Sequence, residues 1–313
     1  MSYINAREKE LKEMITPQNM NEDFESFWVS EVEKMRAVPL KVERKKLKTP
    51  YDKIFNTYEI AYNTHDNTIV HAYFSCPVKK DTEKLPCVSY YHGGNGSKDI
   101  HFDILSTGVC CFAIDVRSQG GTTIDKADYK MGDMRGGLMT RDVLYKESFY
   151  MRNIYLDAVR AIDVIASLEE VDENKIVTYG ASQGGALSIV ASALSGKVKK
   201  SYVAVTSYSC LRKRVELGSG IFNALNQFLT KYPEHTDVVF DTLSYFDMNN
   251  MVSLLKASTS FMVGLSDPIC LPHFVYSVYS HAPCEKDVML VPFAPHIIAE
   301  SYRDYVFNEF ANL

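Results

Sequence analysis

The apolar positions of this chain follow first a helical period, then a strand period, then a regular alternation of the two. Over residues 22–37, Phe24, Phe27, Trp28 and Val32 recur at the spacing of one helix face, which predicts an N-terminal helix. Between Phe55 and Cys76, two alternating segments flank Asn63-Thr-His-Asp-Asn67, which predicts a hairpin. Short apolar runs then predict strands at Cys87 to Tyr91, Val109 to Asp115, Lys175 to Tyr179, Tyr202 to Thr206, Ser260 to Leu265 and Asp287 to Phe293. Helical spacing predicts helices from Glu147 to Leu168 (Val159, Ile162 and Ile165 on one face), Ala186 to Leu194, His273 to His281 and Ile297 to Asn312. Strands that alternate with helices make an α/β fold, a mostly parallel sheet covered on both faces. Residues 211–256 break the rhythm and read as a helical, aromatic-rich insertion over the sheet, with Phe222, Phe228, Tyr232, Phe240, Tyr245 and Phe246. No repeat, low-complexity tract or linker appears. The expectation is therefore one domain over 1–313, with a helical N-terminal extension over about 1–45.

Composition narrows the function classes. The chain has 313 residues, is 23% charged and carries a net charge of −5, so it lacks the basic footprint of a nucleic-acid binder. No basic run suited to a membrane surface occurs, and no segment is long and apolar enough to be expected to span one. The first ten residues lack the apolar core of a signal peptide. Seven cysteines at scattered spacing, with no C-x-x-C pair, read as reduced buried thiols, and the expected location is cytoplasmic. The glycines of His92 to Gly96 and Arg117 to Gly121 match neither a dinucleotide fingerprint nor a phosphate loop. No H-E-x-x-H and no paired Cys/His spacing appears, so neither a metal nor a cofactor is expected.

The chemistry is concentrated in Lys175-Ile-Val-Thr-Tyr-Gly-Ala-Ser-Gln-Gly-Gly185. A β-branched strand runs into Gly180-Ala181-Ser182-Gln183-Gly184 and then into a helix of small residues. This is the pattern of a nucleophile elbow, where a serine sits on a strained strand-to-helix turn that tolerates only tiny flanking residues. A serine hydroxyl needs a base, and the base needs an orienting group. Asp267 follows one predicted strand and His296 follows the last, both at the sheet edge where open α/β sheets bind ligands. Their chain order after Ser182 is the one α/β-hydrolases use. The nearest rival, His281, precedes the last strand and falls on the wrong side of the sheet. Oxyanion donors are expected from the backbone N–H of Gln183 and, in the glycine loop after the strand Cys87 to Tyr91, from that of Gly94. Arg117 and Gln119 are expected to support the adjoining loops.

These segments together resemble the acetyl xylan esterase/cephalosporin-C deacetylase family, the family-seven carbohydrate esterases of the α/β-hydrolase superfamily. The resemblance runs from Asp23-Phe-Glu-Ser-Phe-Trp28 through Tyr91-His-Gly-Gly-Asn-Gly96, Asp115-Val-Arg-Ser-Gln-Gly120, Arg135-Gly-Gly-Leu-Met-Thr-Arg141 and Tyr155-Leu-Asp-Ala-Val-Arg-Ala161. It ends with Gly180-Ala-Ser-Gln-Gly-Gly185, Gly264-Leu-Ser-Asp-Pro-Ile-Cys270 and His296. It implies a serine carboxylesterase that deacetylates small acetylated sugars, usually xylo-oligosaccharides, and acetylated cephalosporins. It also implies a cytoplasmic homo-oligomer, commonly a hexamer whose active sites face an internal chamber. Three positions depart from the family. Ser118 replaces the glycine of an Arg-Gly-Gln motif, Ile297 replaces a glutamate after the histidine, and Gly94 replaces an aromatic, which would widen the acyl pocket. Two alternatives use the same residues: an acyltransferase with the same triad, and a catalytically degenerate hydrolase that serves as a binding scaffold.

Overall fold

The computed structural model describes residues 2–78, 83–133, 137–218 and 220–313. Its centre is a nine-stranded sheet of β1 (Glu43–Lys46), β2 (Phe55–Asn63), β3 (Ile69–Pro77), β4 (Leu85–Tyr91), β5 (Cys110–Ile114), β6 (Val171–Ala181), β7 (Val198–Ala204), β8 (Ser258–Gly264) and β9 (Lys286–Val291). The strand order is 1-2-3-5-4-6-7-8-9. Strands β5, β4 and β6 to β9 pair in parallel, while β1, β2 and β3 form an antiparallel flank. The hairpin sits where alternation predicted it, with Asn67 at φ 63° in the turn.

Eleven α-helices are described: α1 (Tyr3–Glu13), α2 (Phe24–Ala37), α3 (Phe102–Leu105), α4 (Tyr150–Ala166), α5 (Gln183–Ser195), α6 (Leu211–Glu216), α7 (Asn223–Lys231), α8 (Thr236–Ser244), α9 (Met248–Met251), α10 (Pro272–His281) and α11 (Glu300–Ala311). Neighbouring positions on each central strand feed opposite faces, as the pleat requires. Ile176 and Val203 pack with α4 and α5 on one face, while Val177 and Tyr202 pack with α3 and α11 on the other. The segment between β7 and β8 holds α6 to α9, and its Phe222, Phe228 and Phe246 are buried. Two elements carry almost no apolar signal. Helix α1 buries only Leu11, and all four residues of β1 are exposed.

The sheet also encloses a charge cluster. Arg117 is wholly buried. Its Nε and Nη2 donate to the two oxygens of Asp157, both at 2.7 Å, and Nη2 also donates to Thr64 Oγ1 at 3.2 Å. Nη1 donates to Asp66 and, at 3.1 Å, to Asp125 Oδ1. One cation thus holds three carboxylates from a turn, a loop and α4, and fixes the start of the loop after β5. Burial pushes the Asp157 carboxyl up to about 6, with Arg117 acting against that rise. Removing one partner of such a cluster costs about 3–5 kcal/mol because the remaining charges stay buried. We expect Arg117→Met to lower the urea-unfolding free energy by about that amount at pH 8. The deficit should shrink at pH 5, because Asp157 already lies near neutrality and its protonation removes one orphaned charge. An equal deficit at both pH values would refute this account.

Candidate active site

Ser182 lies between β6 and α5 with φ 57° and ψ −122°. For a non-glycine residue this region costs about 1–3 kcal/mol unless the surroundings impose it. They do. The Ser182 N–H donates to the Ala204 carbonyl at 3.1 Å, and its own carbonyl accepts from Ser207 N–H at 3.0 Å and Ala186 N–H at 3.1 Å. The flanking glycines are a steric requirement. A Cβ on Gly180 would lie 2.5 Å from the Gly184 backbone, and one on Gly184 would fall on the Tyr91 carbonyl oxygen.

Asp267 follows β8 and is 2% exposed. Its Oδ1 accepts from the Ile269 and Cys270 N–H groups at 2.8 and 2.9 Å, so it caps its own turn. Its Oδ2 accepts from His296 Nδ1 at 2.7 Å. The carboxylate therefore fixes both the loop and the imidazole, leaving Nε2 as the nitrogen able to accept a proton. The hydrogen bond to Asp267, and then a contact with the Cys270 thiol, raise the imidazole's pKa above its ordinary value. Among the described residues no hydrogen bond joins Ser182 Oγ to His296, whose bond is to Asp267. His281 lies elsewhere, with Nε2 against the Thr16 carbonyl at 2.8 Å.

The loop after β4 is stitched to the loop after β5. Burial lowers the His92 pKa, which keeps the ring neutral. Its Nε2 accepts from Val116 N–H at 3.0 Å, so Nδ1 carries the proton and donates to the Gly93 carbonyl at 2.7 Å. Asp115, wholly buried, takes the Lys98 N–H and ammonium at 2.5 Å each and the Thr122 N–H at 2.7 Å. Gly120 N–H donates to the Gly96 carbonyl at 3.0 Å.

Gln119 joins the predicted oxyanion elements to each other. Its Oε1 accepts the Asn95 N–H at 2.9 Å, and its Nε2 reaches Gln183 Oε1 at 2.8 Å. Tyr208 also donates to Gln183 Oε1, at 2.7 Å, and Tyr150 donates to the Arg117 carbonyl at 2.8 Å. The Asn95 N–H is thus occupied, whereas no hydrogen bond engages the N–H of Gly94 or Gln183 among the described residues. A cavity of about 570 Å³ opens in front of Ser182 and is lined by Gly94, Asn95, Gln119, Gln183, Arg214 and Phe222, among others. Nothing lies within 4 Å of a Cβ built on Gly94, so the departure there leaves open space. Ile297 is 52% exposed, and Arg135 and Gly136 of the sequence motif lie outside the described residues. Sequence reasoning did not single out Tyr150, Tyr208, Arg214 or Cys270 for the site. One group among the described residues could hold a metal ion, Asp267, Cys270 and His296, whose donor atoms lie within 4.8 Å of one another.

A strand-to-helix elbow at the carboxyl edge of a largely parallel sheet, with an aspartate–histidine pair after later strands, defines an α/β-hydrolase. Within that class the chain belongs to the acetyl xylan esterase family, whose sequence profile (AXE1) matches residues 1–312. The solved acetyl xylan esterase from Paenibacillus sp. R4 superposes with a TM-score of 0.91 at 30% identity, covering 97% of this chain and 98% of that one. Acetyl xylan esterase 1 from Thermoanaerobacterium sp. JW/SL YS485 gives 0.88 at 25% identity, with the same coverage. The acetyl esterase Axe7A of Xylanibacter ruminicola is 25% identical over 298 residues, which span 91% of this chain but 65% of that protein.

The departure at Ser118 has a structural account. Ser118 sits at φ 59°, where glycine is free and other residues are strained by about 1–2 kcal/mol. Its hydroxyl accepts from Arg141 Nη1 at 2.7 Å, which offsets the strain. We expect Ser118→Ala, which keeps the strain and loses the bond, to destabilise by about 1 kcal/mol in urea unfolding. Ser118→Gly, which loses both, should be near neutral. The opposite ranking would contradict this balance.

Proposed function

We propose that the protein is a serine carboxylesterase that deacetylates small acetylated sugars, xylo-oligosaccharides foremost. The reading rests on one observation: Ser182 is held in a left-handed elbow at the same sheet edge as a buried Asp267 bonded to His296. In the proposed mechanism Ser182 Oγ attacks the ester carbonyl while His296 takes its proton. Asp267 keeps the imidazole in the required tautomer and stabilises its cation. The N–H groups of Gln183 and Gly94 hold the oxyanion, with Gln183 at the amino end of α5. The alcohol leaves with the proton from His296. Water then attacks the acetyl-enzyme by the same route and releases acetate and free Ser182.

Arg117 and Gln119 act on the loops rather than on substrate. The names of the relatives support an acetyl group, and the polar cavity wall of Asn95 and Asn223 suits hydroxyl-rich alcohols. Activity on cephalosporin C and a homo-oligomeric state belong to the proposal through the resemblance alone, and a cytoplasmic location through the resemblance and the scattered, unpaired cysteines. No helix among the described residues is long and apolar enough to cross a membrane.

With 4-nitrophenyl acetate, Ser182→Ala should lose kcat by on the order of a million-fold. Turnover that persists in the variant would refute the assignment. The pH profile carries a sign. His296 must be neutral to act as base, so activity falls as pH drops through its pKa. Its bond to Asp267 raises that pKa, so the acid limb of kcat/KM should lie above the ordinary histidine value of about 6.5. Asp267→Asn should move the limb to lower pH and reduce kcat by on the order of ten-thousand-fold. A limb that stays in place would show that Asp267 does not act on the imidazole.

A further inference from the structure

Cys270 stands three residues beyond Asp267, in the turn after β8, and is 1% exposed. Its N–H donates to Asp267 Oδ1 at 2.9 Å, so one turn holds the carboxylate and the thiol together. The loop after β9 brings His296 to both. Ser266 N–H donates to the Ala294 carbonyl at 3.1 Å, which ties that loop to the turn. A Cβ on Gly264 would lie 2.8 Å from the same carbonyl oxygen, so the two segments meet where no side chain fits. One donor atom from each of Asp267, Cys270 and His296 lies within 4.8 Å of the other two. Asp267 and Cys270 are buried, whereas the His296 side chain is 21% exposed, so a small ion can enter from the imidazole side. Nitrogen, sulfur and oxygen are the donors that zinc takes, and its usual bond lengths set tetrahedral donors about 3.4–3.6 Å apart. The 2.7 Å histidine–aspartate contact would open slightly to admit the ion, and the other separations already lie within 4.8 Å. Three protein donors leave a fourth position for water. The N–H groups of Ile269 and Cys270 already fix the carboxylate through its other oxygen, as outer groups do for a metal-bound aspartate.

We propose that Asp267, Cys270 and His296 form an inhibitory site for a thiophilic divalent cation, zinc foremost, which turns the esterase off. This rests on the esterase reading above. The sulfur donor selects such an ion over magnesium and calcium, which take oxygen. On binding, the Cys270 thiol gives its proton to solvent and the thiolate bonds the metal. In the free enzyme Nδ1 of His296 carries the ring proton, facing Asp267, and Nε2 is the base. With the metal on Nδ1, the one proton of the neutral ring sits on Nε2 instead. Nε2 is then a donor and cannot take the proton of Ser182 Oγ. The same wrong tautomer, produced by substitution in another triad, costs about ten-thousand-fold in kcat. The ion is therefore an inhibitor and takes no part in the reaction.

The test titrates turnover of 4-nitrophenyl acetate by chelator-stripped enzyme with zinc, magnesium or calcium. We expect zinc alone to lower kcat, with KM little changed, and EDTA to restore the rate. Cys270→Ser and Cys270→Ala, each read against its own rate without metal, should need at least about tenfold more zinc for half-inhibition. Cys284→Ser, which alters a partly buried thiol, should match the wild type. Cobalt(II) reads the site without turnover. Ser182→Ala should show a thiolate-to-cobalt charge-transfer band, and adding Cys270→Ser should remove it. A rate that zinc leaves unchanged, or inhibition equally strong in both Cys270 variants, overturns the inference. So does a cobalt band that survives Cys270→Ser, or none in Ser182→Ala. A protein that turns over no ester yet gives the Cys270-dependent band loses the esterase reading and keeps the metal site, so the two failures are told apart.

Discussion

The contact on which the site depends is between the Tyr91 carbonyl at the end of β4 and the bare Cα of Gly184 in the first turn of α5. Any side chain there would separate the helix from the sheet. Because the contact is so close, β6 can turn into α5 in a single residue, and Ser182 must take the conformation that no neighbouring residue adopts. The strain is local, while its support comes from three strands: β6 carries the serine, β4 supplies the carbonyl, and β7 supplies Ala204 as hydrogen-bond acceptor. Strain of this kind persists only where packing over-determines it.

Around that contact, electrostatics fixes what sterics leaves free. The loops after β4 and β5 contain few apolar groups, so buried charges and a neutral histidine order them. Asp115, Arg117 and His92 each bridge two segments, and Gln119 carries that order to Asn95 and Gln183. Among the described residues no hydrogen bond engages the N–H groups of Gly94 and Gln183, which border the same cavity as Ser182. Preorganised donors of this sort act on developing charge because they need not reorient when it appears.

The central strands, the long helix and the elbow were readable from sequence because buried parallel strands are continuous apolar runs and glycine spacing is a steric signature. The order Ser182, Asp267, His296 followed from strand ends. The helical extension over about 1–45 covers α1 and α2, whereas strand β1 was not readable, because tertiary contacts hold it. In β1, Arg44 pairs with Glu170 and lies 3.5 Å over the Tyr58 ring. Its charged sequence also suits an edge strand that must not recruit another. The Tyr150, Tyr208 and Gln183 contacts were hidden for a similar reason. Isolated tyrosines carry no spacing signal, and only the fold brings them together. For Arg214, a basic residue in a helical segment looks like an ordinary surface charge until burial is known.

Trp28, the chain's single tryptophan, is fully buried where α2 meets the rest of the molecule. Its indole N–H donates to the Tyr245 carbonyl at 3.0 Å, and its ring stacks on Tyr155 and meets Phe246 edge-on. One chromophore therefore joins α2, the long helix α4 and the end of the segment that walls the cavity in front of Ser182. Its fluorescence is a built-in optical gauge of whether those three parts are seated together, readable without a label.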